Sequence, residues 1–186
     1  MNPLLVLDLD ETLIHAEPGP RPVEPDFRVG PFDVLLRPFA TEFLMTVADR
    51  YQLGVWTSAT ADYAAGITAE LAVRSGVPFQ FVWARDRCTR RVDPETGGEG
   101  WIKDLKKLRR AGYDLRRVLV VDDTAAKLAR SYGNLVLVSP FLGDPGDDEL
   151  RHLGPYLLRL ASEPDYRRIE KRGWRRPFHR ETGPLD

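Results

Sequence analysis

Residues 3–12, which read PLLVLDLDET, decide the fold of this chain. They begin with a short, continuous apolar run, which is typical of a strand buried on both faces of a sheet. The run ends in Asp8 and Asp10, and the alternation of side chains along an extended backbone places both carboxylates on the same side. Open α/β sheets bind their ligands at the carboxyl ends of such strands, so this edge is the first candidate site.

Similar apolar runs recur along the chain, and helical patterns separate most of them. The further runs are residues 53–56, 79–83, 118–121 and 135–138. Helices are predicted over residues 39–47, 63–73, 104–110, 124–130 (with Thr124 as a candidate N-cap) and 150–160. Strands that alternate with helices predict a mostly parallel, five-stranded sheet covered by helices on both faces.

Two segments interrupt this alternation. Residues 27–36, with Gly30-Pro31 in the middle, predict a β-hairpin flap, and the polar residues 85–101 predict a small β insert. The chain contains no repeat, low-complexity tract or recognisable linker. We therefore expect one α/β domain over residues 1–165, followed by a basic tail over residues 166–186.

The composition excludes several classes of protein. Of the 186 residues, 42% are hydrophobic and 30% are charged, which excludes a disordered chain. The net charge of −1 excludes a globally cationic nucleic-acid binder. Neither a membrane-spanning run nor a secretory leader is recognisable, and a single cysteine cannot form an internal disulfide, so we expect a cytoplasmic protein without a membrane partner.

A second acidic pair, Asp122-Asp123, ends the run at residues 118–121. If this strand neighbours the first one, three or four carboxylates converge, and such a cluster is costly unless a cation neutralises it. Oxygen ligands without His or Cys nearby in the sequence favour Mg²⁺ over zinc. The alternative is that each aspartate caps a following helix.

Three further residues fit phosphate chemistry. Thr57 and Ser58 end the run at residues 53–56 just before a predicted helix, where hydroxyl and N–H groups can bind an anion, although ordinary capping explains them equally. Lys103 lies at the predicted start of the helix over residues 104–110, where its charge opposes the helix dipole. This placement indicates a tertiary partner for the lysine, whereas the alternative is an ordinary surface lysine.

The order of these motifs resembles the haloacid dehalogenase superfamily, and within it the Fcp/Scp-like branch of C-terminal-domain phosphatases. The resemblance covers residues 3–169. It is carried by residues 8–15 (DLDETLIH), 36–39 (LRPF), 56–58 (WTS), 85–88 (RDRC), 102–105 (IKDL) and 116–123 (RRVLVVDD).

The resemblance implies a Rossmann-like fold and a Mg²⁺-dependent phosphatase that acts through an aspartyl-phosphate. Asp8 would be the nucleophile, and Asp10 the general acid and base. The ion would be held by Asp8, the backbone carbonyl of Asp10 and Asp123, with Asp122 in the outer shell. The resemblance also implies supporting roles: phosphate binding by Thr57, Ser58 and Lys103, and orientation of the Asp8 loop by Thr12.

The sequence is compatible with several classes of phosphoester substrate. A phosphoserine or phosphothreonine protein is the leading expectation, and a phosphorylated nucleic-acid end or a small phosphorylated metabolite are the alternative substrates. A non-catalytic phospho-binding module is the alternative to an enzyme. The tail carries seven basic residues between Arg167 and Arg180, with Trp174 and Phe178 among them, a pattern that fits either nucleic-acid contact or a tail folded over the sheet. We expect His15 to have a structural or rim role and Cys88 to be a packed small hydrophobe.

Overall fold

The computed structural model describes residues 2–20, 22–92 and 98–175. In chain order, its strands are β1 (Leu4–Leu7), β2 (Ile14–Pro18), β3 (Phe27–Val29), β4 (Phe32–Leu36), β5 (Gln52–Trp56), β6 (Val82–Trp83), β7 (Thr89–Val92), β8 (Glu99–Ile102), β9 (Val118–Asp122) and β10 (Leu135–Leu137). The α-helices are α1 (Ala40–Ala48), α2 (Ala61–Ser75), α3 (Lys106–Arg110) and α4 (Glu149–Leu160).

The central sheet has five strands in the order β10-β9-β1-β5-β6, and every pairing is parallel. β1 lies in the middle and is completely buried, as its unbroken apolar sequence predicts. Leu7 pairs with Val55 on one side and with Val121 on the other. This register brings the carboxyl ends of β1, β5 and β9 to the same edge, so the side chains that follow these strands meet there.

Helices cover both faces of the sheet, but unequally. On one face, apolar side chains of α1, α2 and α4 pack on Leu5, Leu7, Leu119 and Val121 in one large core. The other face is covered by α3 with the preceding residue Leu105, and by the 3-10 turn Ala125–Leu128, so that Leu105, Leu108 and Leu128 join a smaller core. The structure thus confirms the predicted single α/β fold with a five-stranded parallel sheet.

The flap has one strand more than the sequence predicts. β3 and β4 form the expected hairpin around Gly30, which has a positive φ of 56°. β2 pairs antiparallel with β4, which makes a three-stranded sheet in the order β2-β4-β3. β2 follows the Asp8 loop directly in the chain, so the flap stands beside the edge where the central strands end.

The insert contains a two-stranded antiparallel sheet formed by β7 and β8. Residues 93–97, which are part of the predicted insert, lie outside the described residues. β8 ends at Ile102, immediately before Lys103. The insert therefore leads straight into the proposed phosphate site.

Three predicted elements differ from the structure. The predicted strand over residues 79–83 is only Val82–Trp83, a half-buried edge strand, because the sheet ends there and nothing pairs with its outer side among the described residues. The predicted helix over residues 124–130 is the 3-10 turn Ala125–Leu128, and the Thr124 hydroxyl donates to Asp123 instead of capping a helix. The predicted helix over residues 104–110 begins only at Lys106.

The described part of the basic tail folds back on the domain. Trp174 is 8% exposed, packs against Tyr156 and donates from Nε1 to the Leu137 carbonyl at 2.8 Å. Arg175 pairs with Glu149 and Asp148 at the start of α4. Residues 176–186, the rest of the predicted tail, lie outside the described residues.

A search of the described ranges for a helix both long and apolar enough to cross a membrane finds none.

Candidate active site

The Asp8 carboxylate lies at the centre of the site. Asp8 follows β1, and its amide donates to the Val121 carbonyl at 3.0 Å, which extends the pairing with β9 by one residue. The side chain is 1% exposed. Lys103 Nζ lies 3.0 Å from Asp8 Oδ1, and Lys127 Nζ lies 2.6 Å from Asp8 Oδ2. The carboxylate therefore has an ammonium group at each oxygen.

These two ammonium groups keep Asp8 ionised. Burial by itself disfavours the carboxylate and would raise its pKa. The charges of Lys103 and Lys127 outweigh burial, so the pKa of Asp8 falls below its ordinary value. An ionised, buried carboxylate is the form required of a nucleophile.

Asp122 and Asp123, at the end of β9, have different surroundings. Asp122 is fully buried, and both of its oxygens have partners: Oδ2 lies 2.6 Å from Lys103 Nζ, and Oδ1 accepts from the Thr124 amide at 2.9 Å. Asp123 accepts from the Thr124 hydroxyl at Oδ2, whereas its buried Oδ1 accepts no hydrogen bond from the described residues. Burial, followed by the charge of Asp8, raises the pKa of Asp122.

Lys103 lies between the two strands' carboxylates and is 0% exposed. It directly follows β8, and α3 begins only at Lys106, so the predicted opposition between Lys103 and a helix dipole is wrong. The expected tertiary partner exists nonetheless, because Lys103 pairs with Asp8 and Asp122. A buried lysine with two carboxylate partners has the position and the charge to bind an anion that approaches Asp8.

Asp10 lies on the loop after β1 and is held by a tyrosine. Tyr63, in the first turn of α2, donates its hydroxyl to Asp10 Oδ1 at 2.6 Å. Burial, together with the nearby charge of Asp8, raises the pKa of Asp10, although the Tyr63 hydrogen bond works in the opposite direction. A carboxyl group with a raised pKa is suited to donate a proton near neutral pH.

The remaining predicted residues lie around this centre. Thr57 is buried after β5, and its Oγ1 accepts from the Ala59 amide at 3.1 Å. Ser58 is partly buried, and its carbonyl accepts from Arg85 at 2.7 Å. Thr12 is fully buried in the Asp8 loop, and its carbonyl accepts from Arg37 at 3.1 Å. Each of these residues belongs to a segment that follows a strand of the central sheet or continues the Asp8 loop.

His15 and Cys88 have packed surroundings. His15, on β2, lies 3.1 Å from Glu17 and packs edge-on against Phe141. Cys88 is buried in the smaller core, where burial raises the pKa of its thiol. A buried thiol with a raised pKa is a poor nucleophile.

The carboxylates fit a divalent cation. One oxygen from each of Asp8, Asp122 and Asp123 lies within 4.8 Å of the others. Two ammonium groups stand against these three carboxylates, which leaves one negative charge uncompensated. The donors are all carboxylate oxygens, the ligand type that Mg²⁺ prefers. Asp123 Oδ1 is available as a direct ligand because no described residue donates a hydrogen bond to it.

The family model of NLI interacting factor-like phosphatases matches residues 3–167. The chain belongs to this family. The family model thus covers the sheet, the flap, the insert and α4 of this NLI interacting factor-like phosphatase chain.

Two animal proteins illustrate the similarity of this NLI interacting factor-like phosphatase to curated relatives. Human carboxy-terminal domain RNA polymerase II polypeptide A small phosphatase 1 is 32% identical over 168 residues, which are 87% of this chain and 60% of that protein. Phosphatase Herzog of Drosophila melanogaster is 34% identical over 164 residues, which are 84% of this chain and 44% of that protein. The chain thus spans about half the length of these relatives.

Two solved structures share the fold. A structure of Fcp1, an essential RNA polymerase II CTD phosphatase, aligns with a TM-score of 0.58 at 26% identity, over 80% of this chain and 44% of that one. A beryllium fluoride-bound variant of fission yeast Fcp1 aligns with a TM-score of 0.55 at 19% identity, over 86% of this chain and 50% of that one.

Sequence reasoning missed two residues of this site, Lys127 and Tyr63. Lys127 lies on the 3-10 turn after β9, four residues beyond Asp123, and a basic residue at this spacing was the available signal. Tyr63 was visible only as the first residue of a predicted helix. Its contact with Asp10 depends on how α2 packs against the Asp8 loop, which no local pattern encodes.

Proposed function

We propose that this chain is a Mg²⁺-dependent phosphomonoesterase that works through an aspartyl-phosphate on Asp8. The observation that carries the proposal is the Asp8 carboxylate, ionised and buried, with Lys103 at 3.0 Å and Asp10 two residues further along the same loop. These are the parts that covalent phosphoryl transfer requires: a nucleophile, a cation for the phosphate and a proton donor.

In the first step, an Asp8 oxygen attacks phosphorus, and the bond to the leaving oxygen breaks. Asp10 donates its proton to that oxygen, for which its raised pKa is suited. Lys103 stabilises the non-bridging oxygens in the transition state, and Thr57 and Ser58 supply further polar groups at the end of β5.

In the second step, Asp10 removes a proton from water, and the water oxygen attacks phosphorus. The Asp8–phosphorus bond breaks, and inorganic phosphate leaves. Asp8 is thereby restored as a carboxylate, and the proton taken up by Asp10 replaces the one donated in the first step.

Asp8, Asp123 and the backbone carbonyl of Asp10 would hold the Mg²⁺ ion, with Asp122 behind them. When bound, the ion supplies charge neutralisation, which allows an anionic carboxylate to approach an anionic phosphate. The assignment of Asp122 to the outer position is supported by its hydrogen bonds, because both of its oxygens already have partners.

The proposed substrate is a phosphorylated protein. The names of the relatives support this class, since two of them are phosphatases of the RNA polymerase II carboxy-terminal domain. The basic tail offers little support for the nucleic-acid alternative, because Arg167, Arg172 and Arg175 pair with carboxylates of their own chain. The non-catalytic alternative is disfavoured because the residues required for the chemistry are all present. We place the enzyme in the cytoplasm, as its single cysteine suggests.

The test is a phosphatase panel run on the wild type and on Asp8→Asn in the presence of Mg²⁺. It includes an aryl phosphate, phosphoserine and phosphothreonine peptides, oligonucleotides phosphorylated at the 3′ or 5′ end, and a sugar phosphate. We expect turnover of the aryl phosphate and of the phosphopeptides, and complete loss of activity in Asp8→Asn because the amide is no nucleophile.

Asp49→Asn is the matched control, because Asp49 is exposed after α1, away from the site, and its replacement should leave activity unchanged. Full activity of Asp8→Asn would contradict the mechanism. Activity confined to oligonucleotide ends would contradict the proposed substrate while leaving the mechanism in place.

A further inference from the structure

Lys127 lies among the carboxylates of Asp8, Asp123 and Asp122, of which the first two would hold the metal ion and the third lies behind them. Its Nζ is 2.6 Å from Asp8 Oδ2, 3.5 Å from Asp122 Oδ1 and 3.6 Å from Asp123 Oδ1. The ligand oxygens of the same three residues lie within 4.8 Å of one another. The ammonium group therefore stands where a cation shared by these carboxylates would stand.

Lys127 and a divalent ion would compete for the same carboxylate oxygens. Mg²⁺ binds carboxylate oxygens at about 2.0–2.1 Å. An ion bound to Asp8 Oδ2 would therefore lie within about 5 Å of the present Nζ position, since that nitrogen is 2.6 Å from the same oxygen. Two cations at this separation in a buried site repel each other, so the ammonium group in its present position opposes binding of the ion.

The two lysines differ in their freedom to move. The Lys103 side chain is 0% exposed and lies between Asp8 and Asp122, whereas the Lys127 side chain is 18% exposed. A lysine side chain is a flexible four-carbon stem, so Lys127 can swing its charge towards solvent without a change in the backbone. The backbone of Lys127 is meanwhile fixed, because its carbonyl accepts from the Lys103 amide at 2.8 Å.

We propose that Lys127 is a built-in counter-ion of the metal-free protein, which the divalent ion must displace from Asp8, Asp122 and Asp123. The inference rests on the proposed function, because it takes these carboxylates as the metal site. Lys127 neutralises part of the charge of the carboxylate cluster, holds Asp8 Oδ2 in an ion pair until the ion arrives, and weakens metal binding.

The test is calorimetric titration of Mg²⁺ and Mn²⁺ into the wild type, Lys127→Met, Lys127→Arg and Lys106→Met, without substrate. We expect Lys127→Met to bind both ions at least about tenfold more tightly, because a competing positive charge is removed. Lys127→Arg retains the charge and should bind as weakly as the wild type. Lys106→Met, which removes an exposed lysine of α3, should also match the wild type.

Thermal unfolding gives a second measurement, which also checks that each variant folds. Lys127→Met should melt at a lower temperature than the wild type without metal and should gain more from added Mg²⁺. Equal or weaker metal binding by Lys127→Met would overturn the inference, as would equally tight binding by Lys127→Arg, and both results would leave the proposed metal site in place. Failure of the wild type and of every variant to bind either ion would overturn the inference and the metal dependence of the proposed function together.

Discussion

Asp10 receives a short hydrogen bond from Tyr63, and this contact sets both the position and the acidity of the proposed general acid. Because the phenol donates to the carboxylate form, it lowers the pKa of Asp10 and offsets part of the effect of burial. Tyr63 does not take part in bond breaking in the proposed mechanism. It is a positioning residue whose loss should be visible in the pH dependence of the reaction.

We predict that Tyr63→Phe lowers kcat about tenfold, because the carboxyl group loses its fixed orientation. Removal of the hydrogen bond also raises the pKa of Asp10 further. With an aryl phosphate, which needs little acid assistance, hydrolysis of the aspartyl-phosphate requires Asp10 as a base, so the acidic limb of the kcat profile should move to higher pH. The measurement is kcat against pH for both proteins.

Tyr132→Phe provides the control for that experiment, since Tyr132 is 59% exposed and lies away from Asp10. Its pH profile should coincide with that of the wild type. An unchanged acidic limb in Tyr63→Phe would show that the hydrogen bond does not tune Asp10 during turnover.

Single residues also show how far the sequence predicts the site. Asp8, Asp122 and Asp123 could be predicted because they lie where buried apolar strands end, and parallel strands end at one edge. Lys127 was missed although it lies four residues beyond Asp123, because its contact with Asp8 depends on the course of the 3-10 turn Ala125–Leu128, where the sequence suggested a regular helix. The course of a short turn is set by tertiary packing, which local helix propensity does not describe.

At the scale of elements, one ion pair joins the flap to the loop that precedes α4. Arg37, at the end of β4, is fully buried and donates to both oxygens of Asp147 at 2.8 Å. The same guanidinium donates to the Thr12 carbonyl at 3.1 Å, so it also fixes the Asp8 loop. Burial raises the pKa of Asp147, but the hydrogen bonds from Arg37 and from the Glu149 amide outweigh it, and the pKa is lowered overall.

We predict that Asp147→Asn lowers the free energy of unfolding at neutral pH by about 3 kcal/mol, because it leaves a buried guanidinium without its charged partner. A carboxyl group whose pKa is depressed by folding stabilises the protein above its unfolded pKa of about 3.9. This stabilisation disappears as the pH falls through the lower pKa of the folded state. Between about pH 5 and about pH 2, the variant should therefore lose less stability than the wild type.

Denaturant unfolding at several pH values measures both effects. Asp49→Asn again serves as the control, and its loss of stability as the pH falls should match that of the wild type. Parallel pH dependences for Asp147→Asn and the wild type would contradict the assigned role of the ion pair.

Helices and strands could be predicted where the spacing of their own apolar residues determines them. They were harder to predict where pairing with distant parts of the chain determines them. The stripe Leu150, Leu153, Leu157 and Leu160 lies buried on α4, as its spacing predicts. The third strand of the flap was missed because β2 reads IHAEP, which has no clear alternation or apolar run of its own. Its pairing with β4 is a long-range contact that only the folded chain reveals.

At the scale of the whole molecule, the charge distribution has a structural meaning. Residues 165–186 carry seven basic and four acidic side chains, a charge of +3, so the total of −1 leaves −4 for the rest of the chain. In the described part of the tail, Arg167 and Arg172 pair with carboxylates of neighbouring residues, Arg175 pairs with carboxylates at the start of α4, and Lys171 donates to two backbone carbonyls. Trp174 and Tyr166 contribute apolar surface to the main core. Up to residue 175, the tail therefore stabilises the fold.

We predict that Trp174→Ala destabilises the protein by about 3 kcal/mol, the lower end of the usual cost of removing a buried tryptophan. Because Trp174 packs on Tyr156 of α4 and bonds to the end of β10, kcat should stay near the wild-type value. Guanidinium unfolding midpoints and aryl phosphate turnover are the measurements.

Arg172→Ala, at a position 90% exposed, should change stability by less than about 0.5 kcal/mol. Equal stability of Trp174→Ala and the wild type would show that the tail is only loosely attached.

The amide of Asp8 belongs to the hydrogen-bond ladder of the central sheet, whereas the neighbouring flap is a separate sheet of its own. The backbone of the reactive residue is consequently held by the central sheet, and substitutions in the flap away from Arg37, which contacts the Asp8 loop, leave that hydrogen bond in place. Divergence of substrate range, by natural drift or by laboratory selection, is then expected to collect substitutions in the flap and in β7 and β8. The carboxyl ends of the central strands would then keep the same reacting groups, while the flap, β7 and β8 vary with the substrate.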